Sequence, residues 1–212
     1  MSVLDGHRII PVVVVKDPKT AVPLAEAMAA GGLPIAEVTF RTPAAVDAIR
    51  AMAGIPEMLV GAGTVVTAEQ VDIAADAGAV FVVSPGLNAD VVRRARERQL
   101  TVLPGAVTPS EIMAALALGV NTCKFFPASS FGGVGTVSAL AHPFPSMSFV
   151  PTGGIGPADV GRYLELPNVA AIGGSWMVPS AVIADGDYAT ITRLCREAMD
   201  LVKASTRVGC NA

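Results

Sequence analysis

The sequence predicts an α/β protein, a (β/α)8 TIM barrel in one domain over residues 1–212, opened by a short N-terminal helical segment. Short apolar runs rich in β-branched residues alternate repeatedly with Ala/Leu/Arg-rich segments of helical period, and no low-complexity linker separates them, which points to parallel strands joined by helices. About eight such units of roughly 25 residues fill the 212 residues, near the lower bound for this barrel. A doubly wound open sheet is the competitor. It usually carries a glycine-rich fingerprint after its first strand, where this chain reads Val15-Lys-Asp-Pro-Lys19.

In order, strands are expected at 9–15, 35–39, 59–63, 80–84, 101–103, 122–125, 148–151 and 170–173, with helices in the gaps. Two helix starts stand out. Thr67-Ala-Glu-Gln70 reads as a capping box, and Thr108-Pro-Ser-Glu111 adds a proline at the first helical position.

Composition narrows the function classes. With 52% hydrophobic and 16% charged residues the chain can bury one large core and still leave apolar surface for subunit contact. Its unbroken aliphatic runs, such as Val12-Val-Val-Val15, fall far short of the roughly 20 residues of a membrane span. The segment Met1-Ser-Val-Leu-Asp-Gly-His-Arg8 lacks the features of a secretory signal, so a cytoplasmic location is expected. A net charge of −3, and no basic run beyond Arg93-Arg94-Ala-Arg96-Glu-Arg98, argue against nucleic acid or an anionic membrane as partner; that run reads as a solvated helix face. Cys123, Cys195 and Cys210 are odd in number and widely spaced, which suits a reducing compartment and neither a disulfide frame nor a zinc site. Cys210 is also misplaced for a prenylation signal. His7 and His142 have no partner at ligand spacing, so no metal or other cofactor is expected.

Lys124 is the most informative residue. It stands within Asn121-Thr-Cys-Lys-Phe-Phe-Pro127, where an unpaired buried ammonium would be costly, whereas Lys16, Lys19 and Lys203 lie in turn-like or polar segments. Burial favours the neutral amine, the form that attacks a carbonyl to give an imine. The alternative is a strand lysine whose head reaches the rim and meets a carboxylate. In Ile35-Ala-Glu-Val-Thr-Phe-Arg41 the residues Glu37, Thr39 and Arg41 share one face by the two-residue period. They suit either a structural Glu37–Arg41 salt bridge, or separate jobs in which Arg41 binds a substrate carboxylate and Glu37 moves protons.

The remaining strand ends carry weaker signals. Gly61-Ala-Gly-Thr-Val65 lets backbone approach a ligand and offers the Thr64 hydroxyl, and Ser84-Pro-Gly-Leu87 offers Pro85 as an apolar wall or simply as a turn. Phe125 and Phe126 are core residues by default, one of them being able to cap the pocket. Pro151-Thr-Gly-Gly-Ile155 and Ile172-Gly-Gly-Ser-Trp176 follow the last two strands, where barrels bind phosphate. Their freed backbone N–H groups, with Ser175 at the start of a short helix, form an anion cradle. A substrate with a carboxylate at one end and a phosphate at the other follows.

Taken together, Glu37-Val-Thr-Phe-Arg-Thr42, Val60-Gly-Ala-Gly-Thr-Val65, Ser84-Pro-Gly86, Lys124-Phe-Phe-Pro-Ala128, Pro151-Thr-Gly-Gly-Ile155 and Gly173-Gly-Ser-Trp176 resemble the 2-keto-3-deoxy-6-phosphogluconate (KDPG) aldolases, class I lyases of the Entner–Doudoroff route, from about Ile10 to about Val182. The resemblance implies a (β/α)8 barrel, usually a homotrimer, without metal. It makes Lys124 the Schiff-base lysine and Glu37 the proton shuttle. Arg41 and Thr64 become holders of the pyruvyl carboxylate, Pro85 and Phe126 its apolar walls, and Thr152, Gly153, Gly154 and Ser175 binders of the distal hydroxyl and phosphate. The loop Ser129-Ser-Phe-Gly-Gly133 departs from the more acidic stretch expected there, which bears on substrate range. A sister group acts on the galactonate-derived epimer, but Arg41 with Thr152 looks more like the gluconate type. The same constellation could also cleave 4-hydroxy-2-oxoglutarate. Two other readings stand beside this one: a phosphosugar isomerase, epimerase or decarboxylase that forms no imine, and a non-catalytic phosphosugar-binding protein.

Overall fold

Side chains on each strand alternate between a helix-facing core and the concave side of the sheet, and this two-residue period organises the whole molecule. Ile9, Val13, Ala36, Val38, Cys123, Phe125 and Phe149 point outward into the larger core shared with the helices. Ile10, Ile35, Phe81, Val83, Leu103, Val150 and Ala171 form a second apolar cluster on the inside of the curl. The computed structural model describes residue 4 and residues 6–208. Most of the expected N-terminal helical segment, and Cys210, lie outside the described residues.

The strands are β1 (Ile9–Val13), β2 (Ile35–Thr39), β3 (Leu59–Gly63), β4 (Phe81–Val83), β5 (Thr101–Leu103), β6 (Thr122–Phe125), β7 (Ser148–Pro151) and β8 (Ile172–Gly174). Between them run α1 (Ala21–Ala30), α2 (Ala45–Ala53), α3 (Ala68–Asp76), α4 (Ala89–Glu97), α5 (Pro109–Ala117), α6 (Gly133–Leu140) and α7 (Val160–Leu164), followed by α8 (Ser180–Ala184) and α9 (Tyr188–Val208). Five strands match their expected bounds; β1, β4 and β8 differ by one or two residues per end. In β1 the ladder with β2 stops at Val13, paired with Val38, and leaves Val14 and Val15 as the exit to the next loop.

All ladders are parallel, in a six-stranded sheet ordered β5-β4-β3-β2-β1-β8 and a pair β6-β7. Single bridges span the two seams: Gly105 with Lys124 beside β5, and Thr152 with Gly173 beside β8. Each seam contains a proline without an N–H, Pro104 and Pro151, which limits the ladder there. The strand order runs monotonically and sets β1 beside β8, without the reversal that marks a doubly wound sheet. The architecture is an α/β fold with a curled parallel sheet.

Both helix starts cap as their side chains allow, with one difference. Thr108 and Glu111 form the full reciprocal box. Thr67 accepts from the Gln70 N–H, but Gln70 Oε1 reaches one residue further back, to the Val66 N–H at 2.7 Å. The basic run on α4 is not simply solvated: Arg94 and Arg98 both grip Asp72 of α3, and Arg98 also pairs with Asp76.

Candidate active site

Strand alternation delivers the two central side chains. Cys123 and Phe125 are fully buried on the outer face of β6, Phe125 edge-on to Phe149 with ring centroids 6.0 Å apart, so Lys124 between them must point inward. Ala36 and Val38 fix Glu37 on β2 in the same way. Lys124 Nζ donates to Glu37 Oε1 at 2.9 Å, and the two side chains are only 6% and 3% exposed. Since β2 and β6 are not neighbours, the contact crosses the inside of the curl.

This overturns the structural Glu37–Arg41 salt bridge read from the second strand. Glu37 forms no ion pair with Arg41; its partner is Lys124, so the carboxylate is not kept free of an ammonium. The lysine does meet a carboxylate, but in the interior and not at the rim. Such a pair is a poor stabilising device, because apolar residues of similar size commonly do as well or better.

A pocket of about 130 Å3 opens above the pair. Its walls bring together Arg41, Lys124, Phe126, Thr152, Gly153, Gly154 and Ser175, with Val12, Ile155 and Gly174. The Phe126 ring centroid lies 5.2 Å from Nζ. Arg41 is exposed and its guanidinium makes no hydrogen bond or ion pair with any described residue, which leaves it available to an anion. Thr64 and Pro85 do not line this pocket. Thr64 stands at the end of β3 with φ 60°, a left-handed conformation that is costly for a β-branched residue, about 1–3 kcal/mol. The Pro85 carbonyl backs onto Gly105, the residue that bridges Lys124.

The glycine-rich edge is built from two loops. Ala128 N–H donates to Thr152 O at 2.8 Å and Ser129 N–H to Gly153 O at 3.1 Å, so the chain after β6 lies along the chain after β7. Gly153 and Gly154 take φ of 97° and 72°, which favours glycine. The Cβ that Gly154 lacks would fall on the Ser129 side chain. One expectation is corrected: Ser175 does not begin a helix. It sits in a turn closed by Val178 N–H to Ser175 O at 3.1 Å, and α8 starts only at Ser180. Donors there come from turn backbone and the Ser175 hydroxyl, without a helix dipole.

Sequence reasoning passed over Val12 and Ile155, which carry no polar signal and look like any strand or loop apolar residue. Gly174 belongs to the glycine pair already singled out. Among the described residues no group of three or more His, Cys, Asp or Glu is arranged to hold a metal. Burial pushes the Cys123 thiol up to about 12, with Glu111 adding to the effect, so this neighbour of Lys124 stays protonated and is no competing nucleophile. A larger cavity, about 400 Å3, lies at the opposite ends of the strands against Ile10, Thr101, Thr122 and Ala171, and contains none of these site residues.

Comparison with known proteins agrees with this geometry. Residues 1–194 match the family model described as "Aldolase: KDPG and KHG aldolase". The KHG/KDPG aldolase of Escherichia coli (strain K12) is 47% identical over 203 residues, covering 95% of each chain. Among solved structures, a KDPG aldolase of Legionella pneumophila, with pyruvate captured at low pH as a covalent carbinolamine intermediate, superposes with a TM-score of 0.89 at 41% identity, covering 92% of this chain and 95% of that one. The Zymomonas mobilis ZM4 enzyme with 3-phosphoglycerate gives 0.85 at 44%, covering 91% and 90%. With a family model matched over residues 1–194 and such similarity along nearly its whole length, the chain belongs to the KDPG and KHG aldolase family.

Proposed function

We propose that this chain is a class I aldolase that cleaves 2-dehydro-3-deoxy-6-phosphogluconate to pyruvate and D-glyceraldehyde 3-phosphate in the Entner–Doudoroff pathway. The observation that carries the reading is the 2.9 Å contact between Lys124 Nζ and Glu37 Oε1, buried beneath a pocket that offers Arg41 and the Gly153–Gly154 and Gly174–Ser175 turns.

Proton transfer from Lys124 to Glu37 across that contact yields the neutral amine, which attacks the C2 ketone. Glu37 returns the proton as the carbinolamine loses water, leaving a protonated imine as electron sink. The carboxylate, directly or through a water, then takes the C4 hydroxyl proton; the C3–C4 bond breaks and glyceraldehyde 3-phosphate departs from a pyruvate enamine. Glu37 protonates C3, and hydrolysis frees pyruvate and Lys124. One carboxyl acts alternately as base and acid, and its burial keeps bulk water from competing for the proton.

Arg41 and Thr64 are assigned to the pyruvyl carboxylate, Pro85 and Phe126 to its apolar flanks, and Thr152, Gly153, Gly154 and Ser175 to the distal hydroxyl and phosphate. The strain at Thr64 and the unpaired guanidinium of Arg41 support the first assignment. Cleavage of 4-hydroxy-2-oxoglutarate to pyruvate and glyoxylate is the second activity, favoured by the family description and by a pocket whose cradle can hold a carboxylate in place of phosphate. We also propose that the two seam bridges close the eight strands into a single-domain (β/α)8 barrel. Exposed Phe131 and Met113 give apolar surface for the homotrimer that the resemblance implies. A phosphorylated substrate and the free thiols Cys123 and Cys195 argue for a cytoplasmic setting.

The test is borohydride reduction in the presence of pyruvate. Lys124 should gain the mass of the reduced adduct, and Lys124→Ala should gain none and cleave neither keto acid. An unmodified wild-type lysine without cleavage of either keto acid would instead favour an isomerase, epimerase or decarboxylase without an imine.

A further inference from the structure

We infer that Gly63 is a positioning residue for the Glu37–Lys124 pair: the side chain it lacks is the space in which the Glu37 carboxylate stands. This rests on the roles proposed above for Glu37 and Lys124. Strand β3 turns Gly61 and Gly63, two residues apart, to the inside of the curl. A Cβ at Gly61 would lie 2.3 Å from the Phe81 ring of β4. A Cβ at Gly63 would lie 2.4 Å from Glu37 Oε1, 2.7 Å from Cγ and 2.9 Å from Cδ, and these are the three nearest atoms. The strand thus adds no side chain at these two levels, and its neighbours on either side fill the room, Phe81 from β4 and Glu37 from β2.

Oε1 is the oxygen that accepts from Lys124 Nζ. Gly63 pairs with Thr39 in the ladder and does not take a left-handed φ, so the backbone itself tolerates alanine. The nearest obstacle is the Glu37 side chain. Glu37 cannot retreat along its backbone, because its Cα is registered against Val12 on one side and Gly61 on the other. A methyl at position 63 therefore rotates the Glu37 side chain and carries Oε1 away from Nζ, while a flexible carboxylate end lets the fold accommodate it.

The experiment is Gly63→Ala, with Gly135→Ala, a helical glycine with open space around it, as control for glycine replacement as such. Borohydride with pyruvate should still label Lys124 in Gly63→Ala. Its kcat, and the exchange of pyruvate methyl protons with deuterium oxide, should fall together by about 10²-fold, with KM little changed. Adding Glu37→Asp, one methylene shorter, should lose less than the product of the two single losses. Turnover and exchange within twofold of wild type, or losses that simply multiply, would overturn the inference. Should Gly63→Ala fail to fold, Glu37→Ala/Gly63→Ala should be as stable as Glu37→Ala alone; a double variant clearly less stable than Glu37→Ala would overturn it too. A wild-type protein that gives no adduct refutes the reading of Lys124 instead, and the thermal midpoints of these same two variants still decide whether Glu37 occupies the space at Gly63.

Discussion

Two sets of ion pairs in this molecule use the same chemistry to opposite ends. On the surface, Asp72 of α3 is held by Arg94 of α4 and by Arg98, the residue that caps the end of α4, with Asp76 and Glu97 extending the network. Inside, Glu37 and Lys124 form a solitary pair with almost no contact to water. The surface groups lose little hydration and gain little, and salt screens what they gain. The interior pair gives up hydration of both charges for one 2.9 Å contact, which makes it a weak reason for a stable fold and a strong reason to look for chemistry. In the function proposed above, this buried pair is a proton-transfer device held in its resting state.

The largest effect that separates the two sets is on turnover. Lys124→Ala should abolish cleavage, and Glu37→Gln should lower kcat by about 10²–10⁴-fold while still allowing slow adduct formation, measured by coupling pyruvate release to lactate dehydrogenase. Next comes stability. Lys124→Met alone should destabilise by about 3–5 kcal/mol, because it strands a buried carboxylate. Lys124→Met/Glu37→Met should recover that loss and be as stable as wild type, though inactive, in urea melts. A double variant no more stable than the single one would mean that the pair does structural work after all.

Ser175→Ala removes a hydroxyl that can donate to the distal anion, a charge-assisted bond worth about 1.5–3 kcal/mol, so KM for the phosphorylated substrate should rise by about 10–100-fold while trapping of pyruvate is unchanged. The smallest effects belong to the surface. Arg94 and then Arg98 hold the Asp72 carboxyl below its ordinary value. Such a group contributes stability at neutral pH that is lost as pH falls through its lowered folded value. Asp72→Asn should accordingly leave neutral-pH activity intact and flatten the acid limb of the stability profile, more visibly at low salt than at high.

Legibility in the sequence followed the physics of each feature. Strand positions were readable because the period of two and the capping residues are local, as Thr108 and Glu111 illustrate. The inward direction of Lys124 was readable too, since Cys123 and Phe125 on either side are apolar. Its partner was not, because β2 and β6 are 87 residues apart along the chain and meet only through the curl. Arg41, four residues from Glu37 and on the same face by period, was the obvious local candidate for that pairing and yet forms no ion pair with it. Ser175 misled for a related reason: Gly-Gly-Ser before an apolar run looks like a helix start, but Pro179 delays the helix to Ser180. Val12 and Ile155 reach the pocket through the fold alone.

The seam between β5 and β6 has a mechanical meaning for Lys124, the proposed nucleophile. The main-chain N–H of Lys124 donates to Pro104 O at 2.9 Å and its carbonyl accepts from Ala106 N–H at 2.9 Å, so the stitch that joins the two edges of the sheet passes through the nucleophile's own peptide units. In the proposed cycle the amine swings between a carboxylate and a ketone, yet the anchor from which it swings is bolted to a neighbouring strand. Travel is thereby confined to four methylenes, and any loosening of that edge would blur the aim of the one nitrogen on which the covalent step depends.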